Sequence, residues 1–363
     1  MNTYAEISLE AVKHNIAEIR KLLKAGTRFM AVTKANAYGH GAVAVSRAAI
    51  EAGADYLAVA NLREALELRE AGMVSPILIL TESPTSVMDE VVQHQLTQTI
   101  YSFSEAKALS DEAVKRKKTA RLHIKVDTGM GRVGVMPSEA SALIAKISSL
   151  PALTIEGVFT HFAKAEEHND SYTKEQFEKF RSLFPKFENI PIKHAANSAA
   201  TLFHPDTHLD MVRVGLMLYG IYPQGNSNRT IDLKPALSFK SRVVYLKRVP
   251  AGTLISYGGI YETKKETSIA TLPVGYADGY SRRLSNRGKV LINGKRYPVV
   301  GHITMDMTLV NVGDDKISVG DEAVLIGSQG IEAITADEIA TLDDTISYEV
   351  ICGIGKRVPR IYR

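Results

Sequence analysis

A lysine at the end of an apolar run is the first residue that suggests chemistry. The segment AVTKANAYGHG, residues 31–41, begins as a buried strand would and then reaches Lys34, which is followed by polar residues and two glycines. A buried ammonium group is costly unless it is paired or chemically altered. Lysines that act as covalent catalysts are altered in this way, because the amine forms a Schiff base with a carbonyl group. One interpretation of the segment is therefore a strand that ends on a lysine which does not remain an ammonium group.

Later apolar runs also end on residues that suit a binding site. These residues are Lys125, Asp127, Arg132, His161, His194, Asn197, Ser198, Arg213, Gly215 and Leu216. Any one of them alone would be read as an ordinary loop residue, so the prediction depends on their convergence at one edge. Basic side chains together with small, phosphate-cradling residues suit a carbonyl cofactor that carries a phosphate.

The glycine-rich sequence GMGRVG, residues 129–134, matches the G-x-G-x-x-G pattern of dinucleotide-binding loops and follows a strand. That strand contains Lys125 and Asp127, and a proline and polar residues separate the glycines from the next helical pattern. We favour a tight turn that positions Arg132. Binding of a nicotinamide dinucleotide is the alternative.

Strands and helices alternate over the part of the chain that would hold these residues. Between residue 28 and about residue 220, eight apolar runs predict strands: RFMAVTK, YLAVA, PILIL, TQTIYS, RLHIKVD, TIEGVFTHF, IKHAANS and MVRVGLMLYG. Helical patterns separate most of them. This alternation predicts an α/β protein with an N-terminal (β/α)8 barrel, whose active site lies at the carboxyl ends of the strands. An open doubly wound sheet is the competing architecture.

The pattern changes near residue 230. Strand-like sequences such as LSFKSRVVYLKRV and MTLVNVG replace the helical periodicity, and Asn293-Gly294 lies between two alternating runs, which is a strong hairpin signal. We expect the barrel to span residues 1–230 and a C-terminal, mostly antiparallel β domain to span residues 231–363.

The composition of the 363 residues is that of an ordinary globular protein. Basic and acidic residues number 44 and 40, for a net charge of +4, which argues against nucleic acid or a membrane surface as a partner. The chain has one cysteine, no secretory signal and no run of 18 apolar residues, so we expect a cytoplasmic protein. No group of residues has metal-ligand spacing, and no metal is expected.

The sequence resembles the alanine racemase family, which are fold type III enzymes that use pyridoxal 5'-phosphate. Motifs that match in order along residues 1–363 carry this resemblance: AVTKANAYGHG, KVDTGMGRVG, THFAKAEE, HAANSAA, MVRVGLMLYG, ISYGGIY, PVGYADGY, TMDM and ISYEVICGI with RVPRIY. The lysine motif alone also fits related decarboxylases and cofactor carriers. ISYGGIY and TMDM in a β domain are far more specific.

The resemblance implies how the cofactor would be held. Lys34 would bind it as a Schiff base, Arg132 would donate to its phenolate oxygen and contact the substrate, and Arg213 would face its pyridine nitrogen. Lys125 aligns with a lysine that is often carbamylated, and the carbamate would orient Arg132. The implied phosphate ligands, with Asn197 beside them, are Tyr38, Ser198, Gly215, Leu216 and Tyr348.

The resemblance also implies the reaction, which is the interconversion of L-alanine and D-alanine to provide D-alanine for peptidoglycan. Lys34 would serve the D-face of the substrate and Tyr257 the L-face, and because this tyrosine comes from the other subunit, the enzyme would be a homodimer with shared sites. Met305 would bind the substrate carboxylate through its backbone, and His161 would link Tyr257 to Arg213. Departures from the family pattern near the substrate entrance are Glu166, His302 and Thr304.

Three alternatives remain open from the sequence. A serine or broad-specificity racemase would differ in pocket size. A non-catalytic cofactor carrier would generally consist of the barrel alone, which the β domain with Tyr257 opposes. A fold-III decarboxylase would usually offer a cysteine from the β domain, and Cys352 within VICGIG is predicted instead to be buried packing.

Overall fold

The computed structural model describes residues 2–167, 171–223 and 230–363. Its strands are β1 Tyr4–Ile7, β2 Arg28–Val32, β3 Tyr56–Val59, β4 Ile77–Ile79, β5 Thr97–Ile100, β6 Ala120–Lys125, β7 Leu153–Phe159, β8 Ile192–His194, β9 Met211–Val214, β10 Leu237–Arg242, β11 Tyr245–Val249, β12 Leu254–Ile255, β13 Tyr261–Glu262, β14 Thr267–Leu272, β15 Lys289–Ile292, β16 Lys295–Pro298, β17 Thr308–Gly313, β18 Glu322–Gln329, β19 Glu332–Ile334 and β20 Arg360–Tyr362. Its right-handed α-helices are Leu9–Arg20, Ala42–Glu51, Leu62–Glu70, Met88–Gln93, Phe103–Lys115, Pro137–Ser148, Ser171–Arg181, Ser198–Phe203, Ala336–Asp343 and Ser347–Cys352.

The chain divides into two compact units. The first, which we call the barrel unit, consists of Val12–Ala37 and Ala42–Lys234. The second, which we call the β unit, consists of Met1–Ala11, Tyr38–Gly41 and Pro235–Arg363. Residues 224–229, beside the predicted boundary at 230, lie outside the described residues, and that boundary stays a prediction.

The barrel unit is built on eight parallel strands. Their order is β8-β7-β6-β5-β4-β3-β2-β9, and all the pairs are parallel. Hydrogen bonds from Asp210 N to Lys193 O (3.1 Å) and from Arg213 N to Ala196 O (2.9 Å) bring β9 back to the end of β8. Several strands, such as β3 and β4, are buried along their whole length, which is why they read as short continuous apolar runs. The predicted (β/α)8 barrel is confirmed, with all eight strands in their predicted places.

The β unit contains a mixed sheet with the order β16-β15-β18-β10-β1-β20, in which only β1 and β20 pair in parallel, and β19 pairs with β18. Smaller antiparallel sheets contain β11-β14-β17 and β12-β13. Asn293 (φ 51°) and Gly294 (φ 75°) both take the left-handed conformation between β15 and β16, which confirms the predicted two-residue hairpin. The mostly antiparallel β domain is therefore confirmed.

One residue differs from its predicted environment. Cys352 was expected to be buried packing, but it is exposed, at the last position of the short helix Ser347–Cys352. That helix buries Ile351 while its final residue faces outward. Within the described ranges, no helix is both long and apolar enough to traverse a membrane.

Candidate active site

Lys34 lies at the start of an unusual turn at the carboxyl end of β2. The four residues that follow it, Ala35 to Tyr38, have φ between 51° and 54°, so the backbone makes a left-handed turn without glycine. This conformation costs roughly 1–2 kcal/mol for each such residue. Hydrogen bonds offset the cost: Ala35 N donates to Glu64 Oε1 and Ala37 N donates to Thr33 O, both at 2.8 Å. Backbone strain held in this way is typical of functional sites.

Four basic side chains of the barrel unit surround His161. Desolvation, followed by the charges of Arg213, Arg132, Lys125 and Lys34, holds the pKa of His161 well below its usual value. Burial and then Arg132 and Arg213 lower the pKa of Lys125 to about 8. These residues come from four different strand ends, so the barrel brings together groups that are up to 179 residues apart in the sequence, from Lys34 to Arg213. The resulting positive field suits an anionic ligand.

The loop that carries Arg132 wraps around Asp127. One carboxylate oxygen of Asp127 accepts hydrogen bonds from the backbone N–H groups of Gly129 (3.0 Å), Met130 (2.8 Å) and Gly131 (3.1 Å). Burial raises the pKa of Asp127, but these backbone donors outweigh burial and lower it overall. Gly129 and Gly131 have positive φ, and the next helix begins only at Pro137. The glycines therefore serve a tight turn, as predicted, and do not open a helix as in a dinucleotide-binding loop.

Arg213 is buried in the barrel, and every hydrogen bond described for its guanidinium group is one that it donates. It donates to the carbonyl oxygens of Thr160 (2.8 Å) and Ala195 (2.9 Å), to His194 Nδ1 (2.9 Å) and to His161 Nδ1 (3.2 Å). Burial lowers the pKa of Arg213 to about 9, which still leaves it charged at neutral pH. The guanidinium group is therefore a fixed hydrogen-bond donor.

Asn197, Ser198 and Gly215 lie together at the ends of β8 and β9. The side chain of Asn197 caps the helix Ser198–Phe203 by accepting from Ala200 N at 2.9 Å. Ser198 Oγ accepts from the backbone N–H of Gly215 at 2.9 Å. Leu216 begins the short 3-10 turn that follows. These contacts place a hydroxyl group and backbone N–H groups at one location, which is a chemistry suited to phosphate.

Two further candidate residues, Tyr38 and Tyr348, meet in the β unit. Their ring centroids are 5.9 Å apart. Arg360 Nε donates to the carbonyl oxygen of Gly39 at 2.9 Å, and a Cβ atom at Gly39 would clash with the carbonyl oxygen of Ile351. Burial raises the pKa of Tyr38, so its phenol stays protonated.

Tyr257 lies on the surface of the β unit, with its side chain 75% exposed. It follows Ser256, which has a φ of 63° and donates through Oγ to the carbonyl oxygen of His302 at 2.7 Å. A Cβ atom at Gly301 would come within 2.7 Å of Ile255 O. The backbones at Gly301 and Ile255 are therefore closer together than a residue with a side chain at position 301 would permit. The loop of Tyr257 is thus well fixed although the side chain itself is not covered.

Met305 is also exposed, at 53%, and its loop is held by two sets of contacts. Gly275 lies so close to it that an added Cβ atom would clash with the carbonyl oxygens of Thr304 and Met305. Arg357 forms ion pairs with Asp278 (2.7 Å) and with Asp306 (2.6 Å), the residue after Met305.

Three further residues belong to the surroundings of Arg213, and of these the sequence predicts only His194 as a candidate site residue. They are His194, His123 and Glu156. The one signal for His123 is the strand RLHIKVD, in which it alternates with Lys125 and so points to the same face. Glu156 stands alone among apolar residues of TIEGVF, and nothing in that run identifies its partner.

Family models cover nearly the whole chain. The model described as alanine racemase, N-terminal domain, matches residues 7–223, and the model of the C-terminal domain matches residues 236–362. The chain belongs to the alanine racemase family. A curated alanine racemase of Halothermothrix orenii is 46% identical over 366 residues, which cover 99% of this chain and 97% of the relative. The solved alanine racemase of Clostridium difficile 630 superposes with a TM-score of 0.95 at 40% identity, over 100% of this chain and 96% of the other.

Pyridoxal phosphate is the cofactor of this family. The solved alanine racemase of Bartonella henselae, which matches with a TM-score of 0.90 at 30% identity over the full length of both chains, is described with this cofactor bound covalently. The donor set of the barrel unit fits such a group: an amine at Lys34, a buried donor at Arg213, further positive charge at Arg132, and hydroxyl and backbone N–H groups near Ser198. The alternative of a serine or broad-specificity racemase is not favoured, since these relatives carry the name alanine racemase.

Proposed function

We propose that the chain interconverts L-alanine and D-alanine with the residue roles that the family motifs suggest. The observation that supports the site best is the convergence of Lys34, Lys125, Arg132 and Arg213 on His161 at the carboxyl ends of the barrel strands. An amine near the two arginines Arg132 and Arg213 is suited to an anionic carbonyl cofactor.

The proposed cofactor contacts use groups from several strand ends. Lys34 would hold the cofactor through its carbonyl carbon, Arg132 would donate to the phenolate oxygen, and Arg213 would donate to the pyridine nitrogen. We assign the phosphate to Tyr38, Ser198, Gly215, Leu216 and Tyr348, with Asn197 beside them. When bound, the cofactor supplies a ring that stabilises negative charge at the substrate α-carbon.

Two residues transfer the α-proton of the substrate, one at each face. Lys34 holds the proton on the D-face and Tyr257 holds it on the L-face. Met305 binds the carboxylate through its backbone together with Arg132, and His161 links Tyr257 to Arg213. The hydrogen bond from Arg213 to His161 (3.2 Å) supports the first of these two contacts, and the second, between His161 and Tyr257, is proposed.

The exposure of Tyr257 supports a homodimer in which each site takes this tyrosine from a second subunit. A catalytic base that is 75% open to water would be a poor proton carrier, because water would compete for its proton. Other large apolar side chains exposed in the β unit are consistent with a covered surface: Leu254, Ile260, Tyr276, Met305 and Met307.

Lys125 is proposed to carry a carbamate. Only a neutral amine attacks carbon dioxide, and a pKa of about 8 makes a substantial neutral fraction available near neutral pH. The carbamate would replace a positive charge beside Arg132 with a negative one and so orient that arginine.

The proposal also includes a cellular role and a cellular location. Production of D-alanine would supply peptidoglycan synthesis, and the chain would act in the cytoplasm. The single cysteine agrees with a reducing compartment.

The activity is tested by incubating the purified protein with L-alanine while D-alanine and carbon dioxide are measured. D-alanine without carbon dioxide is the expected result. Release of carbon dioxide would indicate a decarboxylase, and a bound cofactor with neither product would indicate a carrier. Parallel incubation with L-serine measures the preference for alanine.

A further inference from the structure

A line of buried polar side chains runs away from Arg213 through the interior of the barrel. Arg213 contacts His194 Nδ1 at 2.9 Å, and His194 Nε2 lies 2.9 Å from His123 Nδ1. His123 Nε2 lies 3.5 Å from Glu156 Oε2. Both histidine side chains are completely buried, so water does not compete for the contacts that join Arg213, His194 and His123, whereas Glu156 at the far end is 18% exposed.

The chemistry of Arg213 fixes the proton on every member of this line. A guanidinium group has no acceptor, so Nδ1 of His194 must present its lone pair. Neutral His194 then has its proton on Nε2 and donates to Nδ1 of His123. His123 in turn has its proton on Nε2, directed at the carboxylate of Glu156. Both hydrogen bonds, from Arg213 to His194 and from His194 to His123, therefore point away from Arg213, and the line needs an acceptor near His123 Nε2.

Glu156 is suited to be that acceptor. Burial raises its pKa, but the neighbouring side chains of His123 and Tyr56 outweigh burial and lower the pKa overall, so Glu156 is ionised. Burial lowers the pKa of both His123 and His194, so both remain neutral. The line thus joins one buried cation to one carboxylate through two neutral imidazoles.

Local backbone features of β7 make this arrangement fit. The pairing of β6 with β7 shifts register between Leu122, opposite Ile155, and His123, opposite Gly157, so Glu156 is the extra residue of a bulge. Bulges redirect side chains. A Cβ atom at Gly157 would come within 2.6 Å of His123 Nδ1, so the absence of a side chain there makes room for the imidazole.

We propose that His194, His123 and Glu156 are positioning residues that hold Arg213 as a correctly oriented donor to the cofactor. This inference rests on the proposed function only in placing Arg213 at the pyridine nitrogen. If the carboxylate of Glu156 is removed, the buried Nε2 proton of His123 loses its nearest acceptor. Transfer of that proton to Nδ1 of His123 would place its N–H group opposite the Nε2–H group of His194. Repulsion between these two donors would displace His194 and so disturb its hydrogen bond with Arg213.

The protonation pattern is measured in the holoenzyme labelled with 15N-histidine, using long-range proton–nitrogen correlation spectra at pH 7. Loss of signals in His123→Gln and His194→Gln variants assigns the two residues. Both are expected to be neutral with the proton on Nε2. A proton on Nδ1 of either residue, or an imidazolium at either, would overturn the proposal. This result does not depend on turnover, so it is separable from failure of the proposed racemisation.

Two variants at Glu156 test the functional consequence. Glu156→Gln keeps an acceptor of the same shape and should leave racemisation within about threefold of the wild type, whereas Glu156→Leu removes the acceptor and should lower kcat about tenfold. The leucine variant should also change the histidine spectrum and form more pyridoxamine phosphate per racemisation.

An unchanged spectrum and an unchanged product partition in folded Glu156→Leu would refute the positioning role. If that variant does not fold, the proton positions in the wild type decide the matter. If wild-type protein shows the expected protons but does not racemise alanine, the proposed function fails while the line of hydrogen bonds stands.

Discussion

The two units present their candidate residues in opposite ways. In the barrel unit, Arg213 and Lys125 are each 4% exposed, and Arg213 donates hydrogen bonds to His194 and to two backbone carbonyl oxygens of its own unit. In the β unit, Tyr257 is 75% exposed and Met305 is 53% exposed, although the loops that carry them are held by ion pairs and by close backbone contacts.

This difference in exposure indicates that the two units contribute different functions to the site. Groups that bind and tune a cofactor gain from burial, because water would weaken their electrostatic effect. A fixed loop with an uncovered catalytic residue is instead what one half of a shared site would look like before the second copy covers it. We therefore propose that the barrel unit supplies most of the groups that bind the cofactor, and that the exposed Tyr257 loop of the β unit acts on a neighbouring subunit.

The largest effect should come from the barrel side. Lys34→Ala should abolish the covalent attachment of the cofactor and reduce racemisation in both directions by about four orders of magnitude, as removal of a covalent catalyst does in other enzymes. Borohydride reduction followed by peptide mapping measures the attachment. A cofactor still linked covalently to the variant would show that another residue has this role.

Removing the base of the β unit should affect only one direction of proton abstraction. Tyr257→Phe should slow exchange of the α-hydrogen of L-alanine with deuterated water by about 10²- to 10³-fold, while exchange from D-alanine changes far less because Lys34 is intact. Measuring each enantiomer separately provides the internal control. Equal losses from both would argue against the two-base assignment.

Substitution of Arg213 tests whether the barrel unit controls the protonation of the cofactor ring. At the proposed position, an arginine would donate to the pyridine nitrogen and keep its own proton, whereas a carboxylate would favour a protonated ring and longer-lived negative charge. Arg213→Glu should slow racemisation about a hundredfold and raise the yield of pyridoxamine phosphate per turnover. Arg213→Lys, which keeps a cation, is the control for that yield. Slower racemisation with an unchanged partition in Arg213→Glu would remove this role.

The smallest effect is expected at Lys125. Below pH 8 most of this amine is protonated and above pH 8 most is neutral, so the carbamate signal from 13C-bicarbonate should grow as the pH rises through 8. Lys125→Arg cannot form a carbamate, so it should lose the signal and reduce kcat/KM about fivefold, in line with a charge-assisted hydrogen bond. A carbamate signal that persists in this variant would have to come from another lysine.

The sequence predicts the parts of the fold whose signals are local. Apolar runs reveal the barrel strands because those strands are buried on both sides, and Asn293-Gly294 reveals a hairpin because both residues tolerate positive φ. The pairing of β1 with β10 and β20 brings Tyr4–Ile7 beside residues 230 or more positions away, and no local pattern specifies such a partner.

The candidate site shows the same limit. Lys34 can be identified from the sequence because a lysine at the end of an apolar run is unusual. The left-handed turn that follows it cannot be predicted, because its residues include no glycine. The contact of Glu156 with His123 depends on a bulge, and a bulge is decided by strand pairing rather than by the composition of one strand. Exposure of Cys352 likewise follows from which side of a short helix faces inward.

The most direct test of the divided site is complementation between two inactive variants. Lys34→Ala and Tyr257→Phe chains, tagged differently and produced together, would form mixed dimers in which one site has an intact Lys34 from one chain and an intact Tyr257 from the other. Random pairing predicts about a quarter of wild-type racemisation in the mixture, since half of the dimers are mixed and each has one complete site. Purification through both tags should raise this fraction to about half. Activity no greater than the sum of the two variants measured alone would contradict a site shared between subunits.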